Sequence, residues 1–261
     1  MPVKQLLLLL AAFLLMLVCQ ARPEPPGNFP AASQFSEMIP SKNVYFISGL
    51  AADERLFENL KLPPEYTIRH LAWIEPLKKE SMNAYSRRLA AQIDTTAPFV
   101  LVGMSFGGLV AVEMNKFLQP KQTILISSIV TQNGLSFFFR LVNRLKLHKI
   151  VPSWLLKNFR PGAYWFFNAR TRQQKVLVAS FMDNASKALL KWSVDKLLNW
   201  RNQYQPPNIF LINGDDDRVF PHKRTPADVV VEDGGHMMVH NKADEISPVL
   251  AKELAKVKWE E

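Results

Sequence analysis

Phe99-Val100-Leu101-Val102-Gly103-Met104-Ser105-Phe106-Gly107-Gly108 is the stretch that decides how this chain folds. Its first four residues are a continuous apolar, β-prone run. Val110, Met114 and Phe117 then fall at helical spacing, up to Pro120, which cannot continue a helix. Between the two lies G-x-S-x-G. A strand that turns directly into a helix at this spacing holds its serine on a sharp, strained corner, with the hydroxyl exposed above the sheet. Gly103 and Gly107, two residues to either side of Ser105, carry no Cβ, so the strand and helix can approach closely. The plainer alternative is a structural glycine-rich turn with a capping serine. The flanking strand and helix favour the elbow.

Working outward, short runs that read as strands recur at 44–47, 66–71, 123–126, 208–212 and 228–231. Met82, Tyr85, Leu89 and Ile93 predict an amphipathic helix over 81–94, and another helix is expected from 243 to 257. Most of the strand runs are continuously apolar rather than alternating, which indicates burial on both faces. The expected fold class is therefore α/β, a mostly parallel sheet flanked by helices. The alternation breaks over about 132–206, where no strand is visible and aromatic residues are dense. This stretch reads as a helical lid insertion.

The chain has 261 residues and one cysteine, Cys19. Residues 1–21 read as an export signal. Lys4 supplies charge, 6–18 is an apolar run too short to span a bilayer, and Ala21 is a small residue suited to a cleavage site. Two other readings stay open: a lipidated Cys19, or an uncleaved anchor. Residues 22–41 form a Pro-rich linker, leaving 42–261 as the folded domain, periplasmic or secreted, whose core holds without a disulfide. The net charge of +9 is uneven. Thirteen Lys or Arg against two Asp between Ile129 and Gln205 give that segment a surplus of eleven, so the remainder is slightly acidic. A nucleic-acid binder would be more evenly basic. The basic insertion is either a solvated face or a surface for an anionic substrate or membrane.

With these residues in view, the chain resembles the α/β-hydrolase family from about Asn43 onward, in the order serine, acid, histidine. Asn213-Gly214-Asp215-Asp216-Asp217-Arg218-Val219-Phe220-Pro221 resembles the family's acid loop, whose spacing selects Asp217 over its rivals Asp215 and Asp216. Gly234-Gly235-His236 stands where the family carries its histidine. His240 is the nearest competitor, and His70, His148 and His222 match no such position. The resemblance implies Ser105 as nucleophile, His236 as base and Asp217 as its carboxylate partner. It also implies an oxyanion hole from the backbone N–H groups of Phe106 and Leu50. Many relatives have His-Gly before that second donor; here it is Ser48-Gly49, which leaves the role of Ser48 open. Seven of the ten glycines (Gly49, Gly103, Gly107, Gly108, Gly214, Gly234, Gly235) fall in these four loops.

The expected activity is hydrolysis of a carboxylic ester or thioester of a small hydrophobic substrate through an acyl-serine intermediate. The rivals are amide or carbon–carbon cleavage or acyl transfer by the same residues, and a non-catalytic binding protein on the same fold. The sequence shows no metal cluster, phosphate loop or dinucleotide fingerprint, so no cofactor is implied.

Overall fold

A computed structural model describes residues 42–146, 151, 155 and 158–260. The proposed export signal, the linker and His148 lie outside the described residues. Six strands form one sheet: β1 (Lys42–Ile47), β2 (Tyr66–His70), β3 (Phe99–Met104), β4 (Gln122–Ile126), β5 (Ile209–Gly214) and β6 (Val229–Val231). The order is β2-β1-β3-β4-β5-β6 and every pairing is parallel.

The apolar runs explain the burial. In β1 and β3, Tyr45, Ile47, Phe99 and Leu101 enter one hydrophobic layer, while Val44, Phe46, Val100, Val102 and Met104 enter the other. Alternate side chains thus reach opposite faces, and both faces are covered. The first layer is closed by α1 (Met82–Leu89), capped by Ser81, and by α2 (Phe106–Met114). All nine residues of α2 are buried, as befits a helix without a polar stripe. It ends at Met114, before Phe117, because the Asn115 amide folds back to donate to the Ala111 carbonyl. Between β4 and β5 the chain forms α3 (Phe137–Arg144), α4 (Arg160–Phe166), α5 (Arg172–Asn184) and α6 (Lys187–Asn199). After β6 come the short α7 (Met238–Asn241) and α8 (Ala243–Leu254), whose Ile246, Leu250 and Leu254 close the second layer.

One register matters most for the site. Ile47 pairs with Gly103, so β1 and β3 end side by side. The chain leaves β1 outward to β2 and returns to β3 on the other side. The crevice beyond these two strand ends is the topological switch point, where open α/β sheets place their ligands.

Candidate active site

Ser105 joins β3 to α2 with φ 54° and ψ −121°, in the left-handed half of conformational space. Such backbone strain costs on the order of 1–3 kcal/mol and persists only where the surroundings fix it. Here the Ser105 N–H donates to the Ile126 carbonyl at 3.0 Å, and the Ser105 carbonyl accepts from Ser128 Oγ at 2.8 Å. None of the described glycines has a positive φ. Close approach, not backbone freedom, explains them. A Cβ on Gly107 would run into the carbonyl oxygens of Ile47 and Ser48, so the start of α2 rests directly on the end of β1.

The acid and histidine loops meet in the same way. A Cβ on Gly214 would collide with the Gly234 carbonyl. This contact lets His236 face Asp217. His236 Nδ1 lies 2.9 Å from Asp217 Oδ2 and 3.1 Å from Oδ1, and its Nε2 lies 2.8 Å from Ser105 Oγ. An ionised carboxylate only accepts, so Nδ1 carries the proton and Nε2 offers its lone pair to the serine hydroxyl. Asp217 Oδ1 also accepts from the N–H groups of Val219 and Phe220, at 2.8 and 3.0 Å. The His236 ring sits between Phe167 and Phe220, and all three polar residues are buried. The structure therefore brings Ser105, Asp217 and His236 into one hydrogen-bonded chain.

The rivals stand elsewhere. Asp215 is exposed, and Asp216 pairs with Arg170. His240 binds Asn59 and is pushed below the ordinary histidine pKa by burial. His70 stacks on Phe57, and burial lowers its pKa too. His222 opens a short 3-10 turn at the surface side of the acid loop.

Leu50 and Phe106 flank Ser105, and among the described residues their backbone N–H groups have no acceptor. The role left open for Ser48 is local: its hydroxyl donates to the Ala52 carbonyl and accepts from Trp73 Nε1, pinning the turn that carries Leu50. Asp53 then caps the next turn by accepting from the Arg55 N–H and pairing with its guanidinium. The loop's charges therefore order it.

Two supports had no signal in the sequence. Asn168, in the turn after α4, has φ 54°. Its Nδ2 donates to the Asp216 carbonyl and carboxylate, and its Oδ1 accepts from the His236 N–H at 3.3 Å. It thus ties the acid loop to the histidine loop. On the other side, Ser128 exchanges hydrogen bonds with the buried Asn213 amide while holding the Ser105 carbonyl.

Ser105 and His236 open into a cavity of about 540 Å³. Five aromatic residues from between β4 and β5 line it: Phe138, Phe139, Phe159, Phe166 and Phe167. Trp192 and Trp200 instead anchor α6 to the body, through the Glu80 carbonyl and the Glu113 carboxylate. Among the described residues no cluster of His, Cys, Asp or Glu could hold a metal ion.

Comparison with known proteins agrees with this architecture. An esterase from Exiguobacterium antarcticum superposes with a TM-score of 0.63 at 17% identity, over 84% of this chain and 94% of that one. An esterase from Thermogutta terrifontis gives 0.59 at 15% identity, over 83% and 90%. A bromoperoxidase from Bacillus anthracis gives 0.59 at 15%, over 83% and 92%. At such low identity these likenesses speak to the fold. No curated protein sequence matches significantly. Residues 44–249 match the sequence model of the alpha/beta hydrolase family, spanning the elbow, both flanking loops and the helices between β4 and β5, and the chain belongs to that family.

Proposed function

We propose that the protein is a serine hydrolase that cleaves a carboxylic ester or thioester with an apolar acyl group. The observation that carries this reading is the unbroken chain Ser105–His236–Asp217 opening into an apolar cavity beside two unsatisfied N–H groups. His236 Nε2 takes the hydroxyl proton as Ser105 Oγ attacks the carbonyl carbon. The developing oxyanion is received by the N–H groups of Leu50 and Phe106. His236 then gives its proton to the leaving alcohol or thiol. A water, deprotonated by the same nitrogen, attacks the acyl-serine and restores the enzyme. Asp217 holds Nδ1–H and stabilises the imidazolium without taking its proton.

An apolar acyl group is favoured over a polar one by the lining. Apart from Ser105 and His236, the cavity wall is made of aliphatic and aromatic side chains, Gly162 and Ala residues. The inserted helices act, in this reading, as the roof of the acyl site. The two esterases that share this fold support the same reading.

The test is labelling with a fluorophosphonate followed by peptide mapping. A single adduct on Ser105, absent in Ser105→Ala, supports the reading, as does loss of turnover of short p-nitrophenyl esters in that variant. No adduct in a folded protein would make the chain a binding protein on this fold.

A further inference from the structure

Helix α3 divides its surface into three sectors. Phe138, Phe139 and Val142 line the acyl cavity. Arg140, Asn143 and Arg144 line a second, separate groove of about 410 Å³, together with Gln132, Asn133, Leu135, Leu198 and Arg201. Between these two sectors runs an apolar strip. Phe137 is 67% exposed, Leu145, just past the helix, 57%, and Leu141 and Phe138 are exposed as well. At about 100° per residue, Phe137 and Leu141 fall next to Arg144 on one side and Phe138 on the other. No residue of α3 is buried. Phe159, just before α4, is also 58% exposed and lines the same cavity.

The arginine groove has no acidic lining residue. Arg140 is held by the carbonyls of Asn133 and Leu135, and Arg201 by that of Trp200. Among the described residues, none of Arg140, Arg144 and Arg201 has a carboxylate partner. Nearby Arg160 and Arg170 are different, being paired with Asp183 and Asp216. Three guanidiniums without a carboxylate partner therefore line the groove, and one of them, Arg144, borders the exposed apolar strip.

We propose that this α3 face docks on an anionic phospholipid bilayer. Phe137, Leu141 and Leu145 enter the interface, Arg144 and Arg201 meet the headgroup phosphates, and the mouth of the acyl cavity opens onto the lipid. A helix with an apolar face and flanking cations lies in the plane of such an interface. Guanidinium matches phosphate geometry in two-pronged hydrogen bonds. A second copy of this chain fits less well. A two-fold contact through α3 would bring both copies' Arg140 and Arg144 into one interface, and α3 has no carboxylate to meet them.

The test uses the full chain with Cys19→Ser, which removes the only native thiol. Leu141→Cys carries an environment-sensitive fluorophore. A companion protein carries it at Lys252→Cys, an exposed position on α8. Vesicles are phosphatidylcholine alone or a mixture with phosphatidylglycerol, with spin-labelled lipid as quencher. Docking predicts a blue shift and quenching at position 141, with the mixed vesicles only, and neither at position 252. Arg144→Gln and Arg201→Gln should each weaken binding about fivefold, and salt should weaken it further. Three results overturn the proposal. The protein floats with vesicles while position 141 stays in water, as an N-terminal anchor alone would give. Neutral vesicles act as well as anionic ones. Or the label responds to protein concentration without lipid, as a paired copy would. Turnover is never measured, so the outcome is independent of the hydrolase reading.

Discussion

Asp217→Asn separates a working acid from a neighbouring carboxylate. In the native site Asp217 Oδ1 accepts from two backbone N–H groups and the carboxylate also accepts from His236 Nδ1. Asparagine can keep the Val219 and Phe220 bonds through its oxygen. Its NH2 group then faces Nδ1 and donates to it. That moves the imidazole proton to Nε2, the atom 2.8 Å from Ser105 Oγ, and leaves the serine without a base. Turning the amide over restores an acceptor for Nδ1–H but points NH2 at two N–H donors. That leaves buried donors unsatisfied, at about 1–3 kcal/mol each. The wrong tautomer is therefore the lower-energy state. Its cost is on the order of 10⁴ in kcat, about 5 kcal/mol of transition-state stabilisation.

Asp216→Asn has no such consequence. Its carboxylate is partly exposed, pairs with Arg170 and accepts from Asn168, whose amide also donates to the Asp216 carbonyl. An exposed ion pair contributes about 0–1 kcal/mol, so the rate should fall less than about tenfold. The assay is kcat and kcat/KM on a short p-nitrophenyl ester, with thermal unfolding to verify the fold of each variant. An Asp217→Asn enzyme within tenfold of the parent, or a larger loss in Asp216→Asn, refutes the assignment.

Three further outcomes are expected. Asn168→Gly keeps the positive φ without strain and removes only the side-chain bonds, so kcat should drop about tenfold with KM unchanged; Asn168→Ala should also lower the melting temperature. In Gly107→Ala the added methyl meets backbone oxygens of Ile47 and Ser48 that cannot rotate away, and denaturant unfolding should show a loss of about 1–3 kcal/mol. His70 is held below the ordinary value of 6.5 by burial, opposed in part by Glu54, so the folded state binds its proton later than the unfolded chain. Its contribution is complete above pH 6.5 and is lost as pH falls through the folded pKa; His240 acts in the same direction. The melting temperature should therefore fall on acidification, and less so in His70→Phe.

The sheet was legible because burial on both faces leaves continuous apolar runs, and parallel pairing follows from them. β2 broke that rule. Only Tyr66 is buried outright, while Thr67, Ile68 and Arg69 are exposed, because this is the edge strand that the crossover from β1 places outermost; His70 keeps one edge in solvent but packs its ring on Phe46 and Phe57, which is what desolvates it. Its propensity fitted a strand, but no local pattern marks an edge. The serine, acid and histidine were readable because each follows a strand at a spacing the backbone imposes. Asn168 was not. Its partners lie 48 and 68 residues away in sequence, and its left-handed turn after α4 carries no periodicity. The Ser128–Asn213 pair was hidden for the same reason, since two buried polar residues find each other only once β4 and β5 are paired.

These two supports divide the site unequally. β1 and β3 carry the N–H groups and Ser105, β5 and β6 carry Asp217 and His236, and β4 lies between the pairs with none of these groups on it. The residues just after β4 nonetheless span the gap, with Ser128 bonded to Ser105 on one side and to Asn213 on the other. Gly108 is small because Ser128 occupies the space its side chain would need. This link joins the ends of β4 and β5 and uses no residue of the helices between them. The histidine loop differs. Its backbone is held by Asn168 and its ring is packed by Phe167, both from the stretch between α4 and α5. A displacement of that stretch would leave Ser105 in place and disturb His236, and through Asp216 it would reach the acid loop as well. Phe167 lines the cavity and packs on the His236 ring, so under the proposed function a bound substrate would touch the residue that positions the base. Substrate fit in this arrangement should therefore appear in kcat through His236, and not only in KM.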